Sequence, residues 1–204
     1  MSIENQQATL VEVKQDKAAW EAAYRQGVWE SLSSDAEYAH NLVVGGLIRR
    51  HARPFSLLDV GCGSGVILRY LDLASVTQYT GVDLAQAALD RVEPKRPQDR
   101  HICSSLEEFN PGDKWDIILF NEVLYYTHDP VAQLRKFEKC LRPGGHFVVS
   151  MHKKASPFAY NNRCIRRVRH HFYRARYSVV EAVEIYNIAA SARWQVFLVQ
   201  PQGV

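Results

Sequence analysis

The stretch from Leu57 to Asp83 constrains the fold of this 204-residue chain more than any other. It opens on the apolar run Leu57-Leu58-Asp59-Val60 and passes into Gly61-Cys62-Gly63-Ser64-Gly65, with glycine at alternate positions. Such a turn needs backbone freedom and close approach to a ligand, and Cβ atoms at Gly61, Gly63 and Gly65 would block both. Apolar periodicity through Val66, Leu68, Tyr70, Leu71 and Leu73 follows, and a second apolar stretch, Tyr79-Thr80-Gly81-Val82, closes on Asp83. This is the βαβ arrangement of a nucleotide site, in which the acid can accept hydrogen bonds from two ribose hydroxyls. A glycine-rich turn alone is weak evidence, and the acid at the end of the next strand is what strengthens it.

The spacing also discriminates among nucleotides. A dinucleotide fingerprint wants its third glycine three positions after the second, and that position holds Val66. This argues against NAD. Asp59-Val-Gly-Cys-Gly-Ser-Gly resembles the first motif of the class I S-adenosylmethionine-dependent methyltransferases, and Gly81-Val82-Asp83 resembles their second. The resemblance implies S-adenosyl-L-methionine as methyl donor. Its cofactor-binding residues would include Asp59, Gly61, Gly63 and Gly65 in the first motif, and Asp83 with Leu84 in the second. Gly61 and Gly63 would run beneath the methionine part, and Asp83 would hold the adenosine ribose. Ser105 and Leu106 match by position the residues that meet the adenine, with serine in place of the family's usual aspartate. The resemblance further implies a Rossmann-like, doubly wound α/β sheet of seven strands, mostly parallel, finished by a C-terminal antiparallel hairpin.

Length and composition are those of one globular domain, with 47% apolar and 23% charged residues. We divide it into an N-terminal helical lid (1–53), a donor-binding core (54–152), and a basic helix with the terminal hairpin (153–204). Residues 1–12 read as frayed and polar. No signal peptide is apparent and no apolar run is long enough to span a bilayer, so no membrane association is expected. Cys62, Cys103, Cys140 and Cys164 lie far apart and form no Cys-x-x-Cys pair, which suits buried reduced thiols and a cytoplasmic location. The net charge of +3 conceals an asymmetry, because 153–180 contains eight Lys or Arg and no acid.

Periodicity places helices at Asp16–Gln26, Asp35–His51, Val66–Leu71, Ala85–Val92, from Asp129-Pro130 to Cys140, and Pro157–Tyr173. Parallel strands are expected at Ser56–Val60, Tyr79–Val82, His101–Cys103, Trp115–Phe120 and His146–Met151, and hairpin strands at Val179–Tyr186 and Arg193–Val199. The turn Leu141-Arg142-Pro143-Gly144-Gly145 before a strand is also common in the resembled family, which extends the likeness over about residues 57–151.

Ligands of open parallel sheets lie outside the carboxyl ends of the strands. Asn121 there joins the donor set. Glu122, His128 and His152 are the candidate catalytic residues, each just beyond a strand end and each able to titrate near neutrality if desolvated. The alternatives are that a carboxylate binds the donor ammonium or an acceptor hydroxyl, and that either histidine is a plain surface residue. Tyr24 and Trp29 belong either to a core at helical spacing or to a lid that closes over donor and substrate and excludes water. Tyr125 and Tyr126 are candidates to orient the acceptor. Arg163 and Arg167 are either part of a solvated helix face or receivers of a phosphate on a phosphorylated or nucleotide-linked acceptor.

The resemblance narrows the acceptor. The Pro-Pro-Tyr-type turn of enzymes that methylate base amines is replaced by Asn121-Glu122-Val123-Leu124. Tyr125-Tyr126 stands where related quinone and small-RNA enzymes often carry Glu-His, so no metal is expected. Glu122-Val123-Leu124-Tyr125-Tyr126 resembles methyltransferases of polysaccharide or secondary-metabolite assembly and nodulation-type N-methyltransferases. The expectation is methyl transfer to oxygen or nitrogen of a small, sugar-like or hydroxylated molecule. The rivals are an RNA or protein methyltransferase using the basic helix, with nucleic acid disfavoured because no aromatic is interleaved with the arginines, and a donor-binding regulator without turnover.

Overall fold

The computed structural model describes residues 16–51 and 54–203, so the polar segment 1–12 lies outside the described residues. Seven strands form one sheet in the order β3-β2-β1-β4-β5-β7-β6. They are β1 (Phe55–Val60), β2 (Val76–Asp83), β3 (Arg100–Cys103), β4 (Trp115–Asn121), β5 (Leu141–Lys153), β6 (Tyr177–Asn187) and β7 (Ala192–Pro201). The first five run parallel, and β7 enters antiparallel between β5 and β6. The expected mostly parallel sheet with an antiparallel C-terminal hairpin is therefore present.

Every residue of β1 is buried, as a strand covered on both faces requires. Alternation sorts its side chains. Leu57, Ile117, Leu119 and Val148 join a core beneath α2 (Asp35–Arg49), where Val44 and Ile48 are fully buried. Leu58, Ile118, Phe120 and Phe147 join the opposite core beneath α4 (Pro130–Glu138) and α5 (Tyr160–Arg174), with Leu134, Phe137, Val168 and Phe172. The other helices are α1 (Lys17–Arg25), begun by the Asp16 carboxylate accepting from Ala18 N–H, and the four-residue α3 (Gln86–Leu89).

The sequence overestimates two helices. Val66–Tyr70 is a 3₁₀ turn, and Ala85–Val92 contains only α3. After Tyr70, the Asp72 carboxylate accepts from Ala74 N–H and the Ser75 hydroxyl, which fixes a turn before a second helical turn can propagate. The sheet face above it is covered by α2 instead. An added Cβ on Gly45 would stand 2.8 Å from the Tyr70 carbonyl oxygen, so α2 lies tight against this turn. In the other direction, the turn expected at Leu141–Gly145 is taken into the start of β5 as a bulge, with Gly144 at φ +78°. β5 begins at Leu141, paired with Trp115, and the ladder shifts register before resuming at His146 opposite Ile117.

Candidate functional site

β1 is flanked by β2 on one side and β4 on the other, so chain order reverses at this point and the loops after β1 and β4 diverge. A cavity of about 220 Å³ opens there. Its first wall is the glycine turn. Gly61 and Gly63 have φ of +71° and +54°. A Cβ on Gly61 would lie 2.3 Å from Val123 Cγ2, and one on Gly63 would lie 2.7 Å from the Tyr24 hydroxyl. Asp83 fixes this wall from the end of β2, its carboxylate accepting from Gly63 N–H at 2.8 Å and Ala85 N–H at 2.9 Å. Burial raises its pKa, and the backbone donors oppose that shift. Asp59, 2% exposed, accepts from the Tyr79 hydroxyl at 2.9 Å; burial lifts it to about 7. Leu84, Ser105 and Leu106 continue the wall, and Asn121 Oδ1 is buried with no hydrogen-bond partner among the described residues.

The second wall comes from the N-terminal segment. Glu21 of α1 accepts from Gln86 N–H and Ala87 N–H, tying α1 to the start of α3. This holds Trp20, Tyr24 and Trp29 over the cavity, with Trp20 stacked on Trp29 at 5.3 Å and edge-on to Tyr126 at 5.0 Å. The aromatics are at once a packed cluster and the cavity roof.

The third wall carries the ionisable groups. Glu122, directly after β4, adopts φ +61°, a conformation rare for a residue with a side chain. Its backbone N–H donates to the Ser150 carbonyl at 3.0 Å, and its carboxylate accepts from the Tyr125 hydroxyl at 2.7 Å. Ser150 Oγ lies 3.2 Å from Glu122 Oε1 and 2.6 Å from His40 Nε2; His40 Nδ1 is 3.1 Å from Glu37 Oε2. Burial raises the pKa of Glu122, partly offset by His40 and the Tyr125 hydrogen bond. His152 lies on the same wall, and burial depresses it to about 4, which leaves a neutral imidazole at neutral pH.

Most residues singled out from sequence meet at this cavity, but four do not. Gly65 is absent from the wall; its left-handed backbone, φ +69°, opens the 3₁₀ turn, and a Cβ there would meet Val92 Cγ1 at 2.9 Å. His128 is exposed outside the cavity, because the chain after Tyr126 turns away toward the Asp129 cap of α4. Arg163 sits over the Tyr160 ring, and Arg167 donates to Asp129 at 3.0 Å. Both project from the outer face of α5, whose inner face is committed to the core through Ile165, Val168 and Phe172.

Sequence reading missed Glu37, His40, Asn41 and Ser150. The signal was available for two of them. His40 precedes Val44, Leu47 and Ile48 on the apolar stripe of a helix, and Ser150 interrupts the apolar run of β5. A polar group in such a place requires a partner. Among the described residues, no group of three His, Cys, Asp or Glu side chains is arranged to hold a metal ion, and no helix is long and apolar enough to cross a membrane.

Comparison with known proteins bears on this geometry. The chain is 33% identical over 99 residues to a ubiquinone biosynthesis O-methyltransferase of Bradyrhizobium sp. (strain ORS 278), covering 46% of this chain and 38% of that protein. It is 30% identical over 106 residues to nodulation protein S of Rhizobium tropici, covering 48% and 44%. The chain thus spans less than half the length of these relatives. Among solved structures, N-methyltransferase NodS from Bradyrhizobium japonicum WM9, in complex with S-adenosyl-L-homocysteine, superposes with a TM-score of 0.72 at 20% identity over 86% of this chain and 92% of that one. The 1,6-didemethyltoxoflavin-N1-methyltransferase of Burkholderia thailandensis gives 0.67 at 18% identity, over 96% and 89%. A methyltransferase-domain family model matches residues 32–197, which takes in the glycine turn, Asp83, Glu122, strands β1 to β6 and the first part of β7. The chain accordingly belongs to the methyltransferase-domain family, as its resemblance to the class I S-adenosylmethionine-dependent enzymes implied.

Proposed function

We propose that the cavity binds S-adenosyl-L-methionine along the glycine turn and Asp83, and that the protein methylates an oxygen or nitrogen of a small hydroxylated or sugar-like molecule beside Glu122. The observation that carries this reading is the pairing of two glycines that admit no Cβ with a carboxylate at the next strand end, all on one wall at the switch point of the sheet. Each Asp83 oxygen uses one lone pair on the backbone and retains another for a ribose hydroxyl. Leu84, Ser105 and Leu106 line the region assigned to the adenine, and Asp59 and Asn121 the region assigned to the methionine part. The donor supplies an already activated methyl group. The protein must therefore orient the acceptor, exclude water and receive a proton.

Trp29, Tyr125 and Tyr126 orient the acceptor and, with Tyr24, keep the site dry; this is the work proposed for the N-terminal lid over the donor core. Glu122 receives the proton. Its raised pKa brings it nearer the range useful to a base, whereas His152, held at about 4, is the weaker base and serves as a neutral hydrogen-bonding partner. The names of the relatives support both oxygen and nitrogen acceptors. Of the basic segment, Lys154 is on the cavity wall and supports an acceptor bearing a phosphate. The four free thiols support a reducing, cytoplasmic setting.

The test is transfer of radiolabelled methyl from S-adenosyl-L-methionine to a panel of small phenols, hydroxylated acids, amino sugars and amines, with wild type and Glu122→Gln. Wild type should label a member of the panel, and Glu122→Gln should lower turnover about 10²–10⁴-fold. Full turnover by Glu122→Gln would remove Glu122 from the chemistry.

A further inference from the structure

His40 is 1% exposed and lies within hydrogen-bond distance of two side chains at once, Glu37 Oε2 at 3.1 Å from Nδ1 and Ser150 Oγ at 2.6 Å from Nε2. Ser150, fully buried, is in turn 3.2 Å from Glu122 Oε1. The Trp194 ring stacks on the imidazole with centroids 5.0 Å apart and planes 5° apart. Four polar side chains from α2, β5 and the end of β4 thus form one line along the cavity wall, with its two middle members, His40 and Ser150, fully enclosed. Buried polar lines are costly unless every member is satisfied. Packing alone does not call for them.

We infer that Glu37, His40 and Ser150 form a proton store behind Glu122, in which the proton removed from the acceptor passes through the Ser150 hydroxyl and comes to rest on His40. This rests on the reading of Glu122 as the group that takes that proton. Ionised Glu37 is acceptor-only, so it fixes the hydrogen of a neutral His40 on Nδ1 and leaves Nε2 bare, the arrangement by which a carboxylate orients a histidine base. Bare Nε2 accepts from the Ser150 hydroxyl. The one hydroxyl hydrogen has two acceptors within reach, bare Nε2 of His40 at 2.6 Å and the Glu122 carboxylate at 3.2 Å, and the shorter contact is the one to His40. Ionised Glu122 meanwhile accepts from Tyr125.

When the acceptor X–H bonds to the methyl group and the S–CH₃ bond breaks, its proton goes to Glu122. The Glu122 carboxyl then donates to Ser150 Oγ, and the Ser150 hydrogen crosses to His40 Nε2. Glu122 is left ionised, Ser150 neutral and His40 an imidazolium, so one proton has moved and charge is conserved. The imidazolium donates to Glu37 from one nitrogen and to Ser150 from the other, lies against the Trp194 face, and keeps a carboxylate at each end. The charged and titratable groups facing it are Glu37 on its own helix, Glu122 and Tyr125 after β4, and His152 on β5 with Lys154 beyond.

Nuclear magnetic resonance on protein labelled with ¹⁵N-histidine and ¹³C-carboxyl glutamate, with S-adenosyl-L-homocysteine bound, tests this without an acceptor. At rest, His40 should carry hydrogen on Nδ1 and a bare Nε2. As pH is lowered, the first proton should appear on His40 Nε2 while the Glu122 carboxyl still reads as ionised. Ser150→Ala should reverse that order, because a protonated Nε2 then has no acceptor, and Ser150→Thr should restore it. A resting Nε2–H tautomer, protonation of Glu122 ahead of His40, or an order unchanged in Ser150→Ala would each overturn the store. Those results leave the turnover of Glu122→Gln untouched, so failure of the store and failure of the base are read separately.

Discussion

Replacing Asp59 by Asn is expected to make the protein more stable, by an amount that depends on pH in a defined window. Asp59 is 2% exposed, and its only side-chain donor in the described residues is the Tyr79 hydroxyl at 2.9 Å. Burial lifts its pKa from 3.8 to about 7, with the Tyr79 bond opposing and the Asp83 charge reinforcing the shift. A folded pKa above the unfolded one means that the folded state holds the proton more tightly. Stability from this group is therefore fully present below pH 3.8 and is lost as pH rises toward about 7, after which both states are ionised and the penalty is constant. At about 1.4 kcal/mol per unit, a shift of roughly three units corresponds to about 4 kcal/mol. Asn keeps an acceptor for Tyr79 but never ionises. Urea unfolding without donor, at half-unit steps from pH 4 to 8, should show the advantage of Asp59→Asn growing by about 1.4 kcal/mol per unit and levelling off above pH 7. A difference that does not vary with pH, or that grows only above pH 7, would refute the placing of a protonatable carboxyl under the donor turn.

Two further outcomes follow from the geometry. Gly61→Ala should lose roughly 1–2 kcal/mol for its left-handed backbone, and more because the new Cβ would stand 2.3 Å from Val123 Cγ2 and push the residue next to Glu122; an unchanged melting temperature contradicts it. Arg167→Ala breaks a half-exposed ion pair with Asp129, so stability should change by about 1 kcal/mol or less and donor affinity not at all. A loss of donor affinity in calorimetry would return α5 to the site.

The parallel half of the sheet was legible because a strand buried on both faces writes itself as a mostly apolar run, as Trp115–Phe120 and Leu57–Val60 do with one aspartate each. The glycine wall of the cavity was legible because glycine at Gly61 and Gly63 and an acid at Asp83 are demanded by contacts local to two strand ends. What failed was the type of helix after β1, where cover from α2 and a turn fixed by Asp72 left only a 3₁₀ turn, and the length of the helix after β2, which stops at Leu89. His128 and the arginines misled for a related reason: position after a strand or on a charged helix does not say which way the side chain faces. Arg167 found its acid in Asp129, 38 residues away. The line from Glu37 to Glu122 joins residues up to 110 apart, a distance at which no periodicity in one segment can announce the partner in another.

The central claim is that the turn at Gly61 and Gly63, fixed by Asp83, holds an adenosyl donor. Isothermal calorimetry of the purified protein with S-adenosyl-L-homocysteine tests it most directly, with NAD as control and Asp83→Ala as variant. One-to-one binding by the wild type, none of NAD, and a loss of about 1.5–3 kcal/mol in Asp83→Ala are predicted. No heat with S-adenosyl-L-homocysteine beside clean titration by NAD, or an unchanged dissociation constant in Asp83→Ala, would contradict it.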